Sequence, residues 1–161
     1  MKTKSTIWIA IGVYIAFIYL TLPLMRPSLN FLYGFLGRQN LGIMVNIVFL
    51  IVAGFLIFSI KNQPLNRIFY NILLFCIAIG LIFMLEIPEE RVHFLEYGVL
   101  GFFVLKATNE KIFITFIFVA LVGAVDEFIQ FLLPQRVGEL RDVAMNIIGG
   151  ALGIWVRKLQ N

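Results

Sequence analysis

Polar side chains interrupt the apolar C-terminal half of this sequence in three short groups. Within each group, residues three or four positions apart share one face of a helix. The groups are His93, Glu96 and Tyr97, then Asp126, Glu127 and Gln130, and finally Asp142 and Asn146. A histidine beside carboxylates can transfer protons, and carboxylates with amides can bind the polar part of a ligand. The pattern therefore predicts polar faces on three helices that could form one site.

Arginines near these groups are the expected partners of the carboxylates. Arg136 and Arg141 lie between the second and third groups in sequence, and Arg91 precedes the first. The guanidinium group can pair bidentately with a carboxylate or hold an anionic part of a ligand. Asp126 and Glu127 are adjacent, so their side chains point about 100° apart on a helix. We therefore expect at most one of them to head the site, while the other pairs with an arginine or caps a neighbouring element.

The composition of the whole chain is typical of a membrane protein. Of its 161 residues, 61% are hydrophobic and 14% are charged, whereas soluble domains carry about 25% charged residues. This composition excludes a soluble globular domain, a disordered chain and a nucleic-acid-binding domain. The net charge of +4 is interpreted as the basic excess of cytoplasmic loops. A single cysteine excludes an intramolecular disulfide framework and a metal site built from several cysteines.

Apolar runs of helical length predict an all-α polytopic membrane bundle with about six transmembrane helices. A spanning helix needs roughly 20 predominantly apolar residues. The predicted spans are Thr6–Leu24, Leu41–Ile60, Ile68–Leu85, Val92–Leu105, Ile112–Leu133 and Val143–Val156. The first is interpreted as a retained helix, not a cleaved signal peptide, and it is expected to end near Pro23 because proline favours helix ends. The longest connection, Met25–Asn40, is expected to lie in the membrane interface.

The distribution of basic residues predicts that both termini are cytoplasmic. With six spans, eight of the 13 basic residues fall on the side of the termini, including every lysine, and five arginines fall on the other side. Cytoplasmic loops normally carry this excess. The alternative is that the short fourth segment is re-entrant, which gives five spans. Under the six-span topology, all three polar groups lie at the outer ends of the last three helices.

The polar residues of these helices form three sequence motifs. The motifs are His93-x-x-Glu96-Tyr97, then Asp126-Glu127-x-x-Gln130-x-x-x-Pro134-x-Arg136, and Arg141-Asp142-x-x-x-Asn146-x-x-Gly149. Together they resemble the VanZ-like family of bacterial membrane proteins, over about residues 86–153. One departure is Gln135, which stands where a glycine is expected. We interpret residues 1–161 as a single integral-membrane domain that contains this signature region.

The resemblance implies a small multi-pass protein of the bacterial plasma membrane. The family's namesake is associated with resistance to the glycopeptide antibiotic teicoplanin, and the family has no settled reaction, ligand or cofactor. The motif positions that carry over are His93, Glu96, Tyr97, Asp126, Glu127, Gln130, Arg136, Asp142 and Asn146. We predict no cofactor and no metal, and as partners the lipid bilayer and an envelope lipid or cell-wall precursor.

Three functional hypotheses follow from these residues. The first is a protein that binds or handles an envelope component, such as a lipid headgroup or cell-wall precursor, at the outer ends of the last helices. The second is a membrane-embedded enzyme acting on the same class of ligand by acid–base chemistry, with Glu127, His93 and Asp142 as the candidate catalytic residues. The third is a transporter that uses Glu127 or Asp142 as a proton or ion relay. The candidate binding residues are Arg136, Arg141, Asp126, Gln130, Asn146, Glu96 and Tyr97.

Two further interpretations of the polar residues stay open at this point. The carboxylates and arginines could form a structural network of ion pairs that holds the last helices together. His93, Glu127 and Asp142 could also supply three ligands to a divalent ion, which is the less favoured alternative. Spacing along the sequence does not distinguish these cases, because the distances between helices depend on packing.

Overall fold

The structure, a computed structural model, describes residues 2–60, 63–84, 88–134 and 138–159. Within these residues every regular element is a helix, which confirms the predicted all-α class. The helices are α1 (Lys2–Leu36), α2 (Arg38–Ile60), α3 (Leu65–Met84), α4 (Pro88–Ala107), α5 (Ile112–Leu132) and α6 (Leu140–Leu159). Each predicted apolar run therefore corresponds to one helix, and most helices extend a few residues beyond the run.

The first helix differs most from the prediction. It continues for 35 residues to Leu36, through both Pro23 and Pro27, so the predicted end near Pro23 and the predicted connection Met25–Asn40 are wrong. A proline removes only one backbone donor, and apolar helices with packed neighbours tolerate that loss. Gly37 ends the helix instead: it adopts a positive φ of 79°, and its N–H donates to the Tyr33 carbonyl at 3.0 Å. This left-handed conformation favours glycine.

Some of the described helices have the length and apolar surface of membrane helices. Two segments, Lys4–Leu36 and Ile112–Leu132, are long and apolar enough to cross a membrane by length and composition. Arg38–Val52 and Leu65–Gly80 are shorter apolar helices. Large apolar side chains are exposed along α1, α2, α3 and α5, which is typical of lipid-facing surfaces. These features point to a membrane protein, while the six-span topology stays a prediction.

The centre of the fold is the contact between α4 and α6, which pack together through glycines. A Cβ atom at Gly149 would lie 2.5 Å from the Phe94 carbonyl oxygen. Cβ atoms at Gly101 and Gly153 would overlap backbone atoms of the facing helix. The two backbones are therefore in direct contact, as at the small-residue interfaces of membrane helices.

The first helix covers α4 and α5 through two tyrosines. The Tyr14 hydroxyl donates to the Glu96 carbonyl at 3.1 Å, and the Tyr19 hydroxyl donates to the Val122 carbonyl at 2.9 Å. Ile11 joins the buried core between these helices. The contacts align α1 antiparallel to α4, so that the beginning of α1 lies beside the end of α4.

The second and third helices pack around this centre through fewer interactions. Arg91 at the start of α4 donates to the Asn46 side-chain oxygen on α2 at 2.6 Å. Phe75 on α3 packs edge-on against Trp155 on α6, with ring centroids 5.0 Å apart. These helices therefore flank α4 and α6.

Candidate functional site

The three polar groups of the sequence meet at one end of the α4–α6 bundle. Helices α4 and α6 begin at this end and α5 ends there, because α5 runs antiparallel to both. The eight residues that meet will be called the polar cluster: His93, Glu96, Tyr97, Asp126, Glu127, Gln130, Asp142 and Asn146. Most of them are buried, although their helices are otherwise apolar.

His93 lies between two carboxylates from different helices. Its Nδ1 atom is 3.3 Å from Glu96 Oε2, one turn along the same helix. The same atom is 3.8 Å from Asp126 Oδ2 on α5. An imidazole in this position can accept or release a proton at short range. The contact also joins α4 to α5 at the polar end.

Asp126 is the most enclosed acid of the cluster, with 0% of its surface exposed. Its Oδ2 atom accepts a hydrogen bond of 2.9 Å from the Tyr97 hydroxyl, and its Oδ1 atom accepts one of 3.3 Å from Gln130 Nε2. A buried carboxylate is costly unless such donors surround it. The sequence suggested an arginine as the partner of this acid pair, whereas the described neighbours of Asp126 are tyrosine, glutamine and histidine.

Glu127 points away from Asp126, toward the start of α6. Its Oε1 atom accepts from Gln130 Nε2 at 3.0 Å, and its Oε2 atom accepts from the backbone N–H of Glu139 at 3.3 Å. Glu139 directly precedes Leu140, the first residue of α6. The carboxylate thus lies at the helix N-terminus, where unbonded N–H groups and the helix dipole favour negative charge. Glu127 therefore fixes the start of α6 relative to α5.

The rim of the cluster is more exposed than its centre. The side chain of Arg141 is 60% exposed and that of Asp142 is 26% exposed, and Arg141 Nε lies 3.6 Å from Asp142 Oδ1. Arg136, which was predicted to bind a ligand, lies outside the described residues. Arg91 contacts Asn46 on α2. A ligand approaching this end of the bundle would therefore meet Arg141 and Asp142 before the buried acids.

Asn146 is a buried amide that faces α4 and α5. Asn146 is 1% exposed. A Cβ atom added at Gly123 would lie 3.1 Å from the Asn146 Cβ atom and 3.4 Å from the Tyr97 ring. Among the described residues, its Nδ2 atom has no hydrogen-bond partner. Buried amide donors usually have partners, so this donor could bond to a water molecule or a ligand atom.

The metal alternative gains no support from the described residues. No group of three or more His, Cys, Asp and Glu side chains among them could hold a metal ion. His93, Glu127 and Asp142, the three residues that were considered from the sequence, do not form such a group. His93 instead contacts Glu96 and Asp126, because the adjacent acids of α5 point to different helices.

Sequence reasoning did not identify the contribution of α1 and of Gly123 to the cluster. Tyr19 donates to the Val122 carbonyl, which also accepts from Tyr97 at 3.3 Å. Gly123 leaves the space that Asn146 and Tyr97 occupy. The tyrosines inside the apolar first helix could have indicated its contacts with other helices, because a buried tyrosine hydroxyl usually needs an acceptor.

These observations define a class of protein: an apolar helical bundle with a buried cluster of acids, histidine and amides between three helices. A family model described as VanZ/LLP1 matches residues 89–160, which include nearly all of α4, α5 and α6. This match confirms the resemblance to the VanZ-like family over the C-terminal region of the chain. No curated protein and no solved structure matches the chain significantly.

Proposed function

We propose that the polar cluster binds the polar headgroup of an envelope lipid or a lipid-linked cell-wall precursor, at the outer face of the bacterial plasma membrane. The observation that carries this proposal is the concentration of acids at one end of the bundle. Glu96, Asp126, Glu127 and Asp142 lie there with His93, inside or beside apolar helices. Ionisable groups in such helices cost a few kcal/mol each, and they are usually paired or functional.

The rim and the family support a ligand from the envelope. Arg141 and Asp142 offer both signs of charge where the cluster opens, which suits a headgroup carrying anionic and polar groups. The association of the family's namesake with teicoplanin resistance favours an envelope component as the ligand. The excess of basic residues at the opposite end of the helices favours an outward orientation of the cluster.

The binding proposal is tested with the full chain in lipid nanodiscs. The probe is a polyprenyl-diphosphate-linked cell-wall precursor, added at increasing concentration while the melting temperature is recorded. A ligand that binds only the folded protein raises its melting temperature. We expect the wild type to show a rise, and Glu127→Gln and His93→Ala to show little or none.

The matched control is Glu110→Gln. Glu110 lies at the other end of the bundle, where it pairs with Arg157 at 3.1 Å and Lys158 at 3.4 Å. This variant also removes a paired acid, but it should keep the ligand-dependent rise. If Glu127→Gln and His93→Ala shift as much as the wild type, the polar cluster is not the binding site.

A second candidate function is acid–base catalysis on the same class of ligand. The favouring observation is the position of His93 Nδ1 within 3.8 Å of Asp126 and 3.3 Å of Glu96. In this case His93 or Glu127 acts as the general base, and Arg141 holds an anionic group. Product formation by the wild type, with turnover lost and binding kept in Glu127→Gln, would favour the enzyme. A ligand-dependent rise without any product would favour the binding protein.

A further inference from the structure

An elongated groove lies between α1 and α4 and extends from Tyr14 toward the end of the bundle opposite the polar cluster. Its volume is about 300 Å³, at the lower end of the range for ligand sites. The walls are mainly apolar and include Ala10, Ile11, Leu100 and Phe103. Lys106 of α4 also lines the groove. None of these residues belongs to the polar cluster.

The shape and lining of the groove fit a hydrocarbon chain. It follows α1 from Thr6 to Tyr14, which are eight positions apart and therefore about 12 Å along the helix. The Tyr14 hydroxyl already donates to the Glu96 carbonyl, so it offers no free donor proton to an occupant. Ala10 and Phe103 are exposed on the lateral surface. The groove is therefore open to the side, where lipid chains would surround a membrane protein.

Two lysines place positive charge at one end of the groove. Lys106 lines it, and Lys4 lies three positions before the lining residue Ile7, so that Lys4 and Ile7 share a face of α1. Both lysines are exposed, and neither ammonium group has an ion pair or hydrogen bond within the described part of the chain. Glu110, the nearest acid along the sequence from Lys106, is bound to Arg157 and Lys158. The two lysines are thus available to an anionic group.

We propose that this groove binds one acyl chain of an anionic phospholipid, whose phosphate lies beside Lys4 and Lys106. The lipid comes from the leaflet at the N-terminal end of α1, where the basic excess predicts the cytoplasmic side. Lysines near a membrane surface attract anionic headgroups, and the apolar walls accept the chain. The proposal depends on the placement of the helices in a membrane but not on the ligand of the polar cluster.

The test counts the lipids that remain bound to the purified full chain. The protein in detergent is incubated with phosphatidylglycerol or with phosphatidylcholine of the same acyl chains, and retained lipids are measured by native mass spectrometry. We expect the wild type to retain one phosphatidylglycerol in preference to phosphatidylcholine. Lys106→Gln should lower that preference about fivefold, the effect of one basic residue near an anionic surface. Ala10→Phe, which fills the groove, should lower retention of both lipids.

Two controls separate the groove from the general surface. Lys111→Gln removes an exposed lysine at the same end of the bundle, and Ala16→Phe enlarges an exposed alanine on the same helix. Neither residue lines the groove, so both variants should retain lipid like the wild type. Equal retention of the two lipids by the wild type, or equal loss in Lys106→Gln and Lys111→Gln, would overturn the proposal. Unchanged retention in Ala10→Phe would overturn it as well.

Discussion

At the scale of single residues, the polar cluster depends on how its buried acids are bonded. Asp126 is fully enclosed, and its three described polar neighbours come from α4 and α5. Tyr97 makes the shortest of these contacts, at 2.9 Å, and is itself fully buried. A donor that is removed from a buried carboxylate leaves that group partly unsatisfied. The free-energy cost of the unsatisfied group is larger than the stabilisation that the hydrogen bond contributed.

Replacing Tyr97 with Phe should destabilise the protein measurably. We expect the free energy of unfolding to fall by about 1–3 kcal/mol, because the Asp126 carboxylate loses its closest donor while the aromatic ring stays. The measurement is reversible unfolding in mixed micelles. The control is Tyr70→Phe, since Tyr70 is 64% exposed on α3, and its effect should stay within about 0.5 kcal/mol. Equal effects of the two substitutions would contradict the assigned role of the Tyr97 hydroxyl.

At the scale of the elements, glycine decides how closely α4 and α6 approach. A Cβ atom at Gly101 would overlap the Gly150 carbonyl, which is backbone and cannot turn aside. A Cβ atom at Gly98, three residues earlier on the same helix, would lie 3.5 Å from the Gly149 carbonyl oxygen. That distance is ordinary van der Waals contact. Packing against α6 therefore requires a glycine at position 101, whereas position 98 has room for a Cβ atom.

Gly101→Ala should destabilise the bundle, whereas Gly98→Ala should be tolerated. We expect Gly101→Ala to lower the free energy of unfolding by about 3 kcal/mol, near the upper end of the range for overpacked cores, since the helices must move apart. Gly98→Ala should change it by less than about 1 kcal/mol, because alanine fits and also favours the helix. Both variants are compared by the same unfolding assay. A larger loss in Gly98→Ala than in Gly101→Ala would contradict this packing of α4 on α6.

At the scale of the whole molecule, the two ends of the bundle differ in charge chemistry. One end gathers the acids and His93, and the other carries Lys4, Lys106 and the ion pairs of Glu110 with Arg157 and Lys158. Helix α4 runs alongside α6, and the backbones are in contact where residues 94–101 of α4 face residues 149–153 of α6. The six-span topology, with the acidic end outside, stays a prediction.

Labelling of single cysteines tests this topology. In a Cys76→Ser background, Leu140→Cys places a thiol at the start of α6 and Asn109→Cys places one in the turn after α4; both positions are exposed. With six spans and a cytoplasmic N-terminus, a membrane-impermeant maleimide should label Leu140→Cys in intact cells. Asn109→Cys should react only after permeabilisation. The five-span alternative requires the reverse pattern for both thiols.

The sequence by itself determined the helical class, the position of most helices and the residues of the polar cluster. Apolar runs fix which segments become helices, and fixed spacings place His93 with Glu96 and Asp126 with Gln130 on shared faces. These are local properties, because both depend only on the 3.6-residue period of a single helix. The family resemblance over the last three helices depends on the same local pattern.

Only the tertiary structure decided which helices meet and what each polar group contacts. Asp126 turns to His93 and Tyr97 on α4, while adjacent Glu127 turns to the start of α6. The continuation of α1 through its prolines and the groove beside Lys106 were likewise not apparent from the sequence. The contacts of the acids and the groove depend on the distances between backbones, to which the glycines of α4 and α6 and the tyrosines of α1 contribute. Such distances arise from packing between residues far apart in the chain, so spacing along one helix does not contain them.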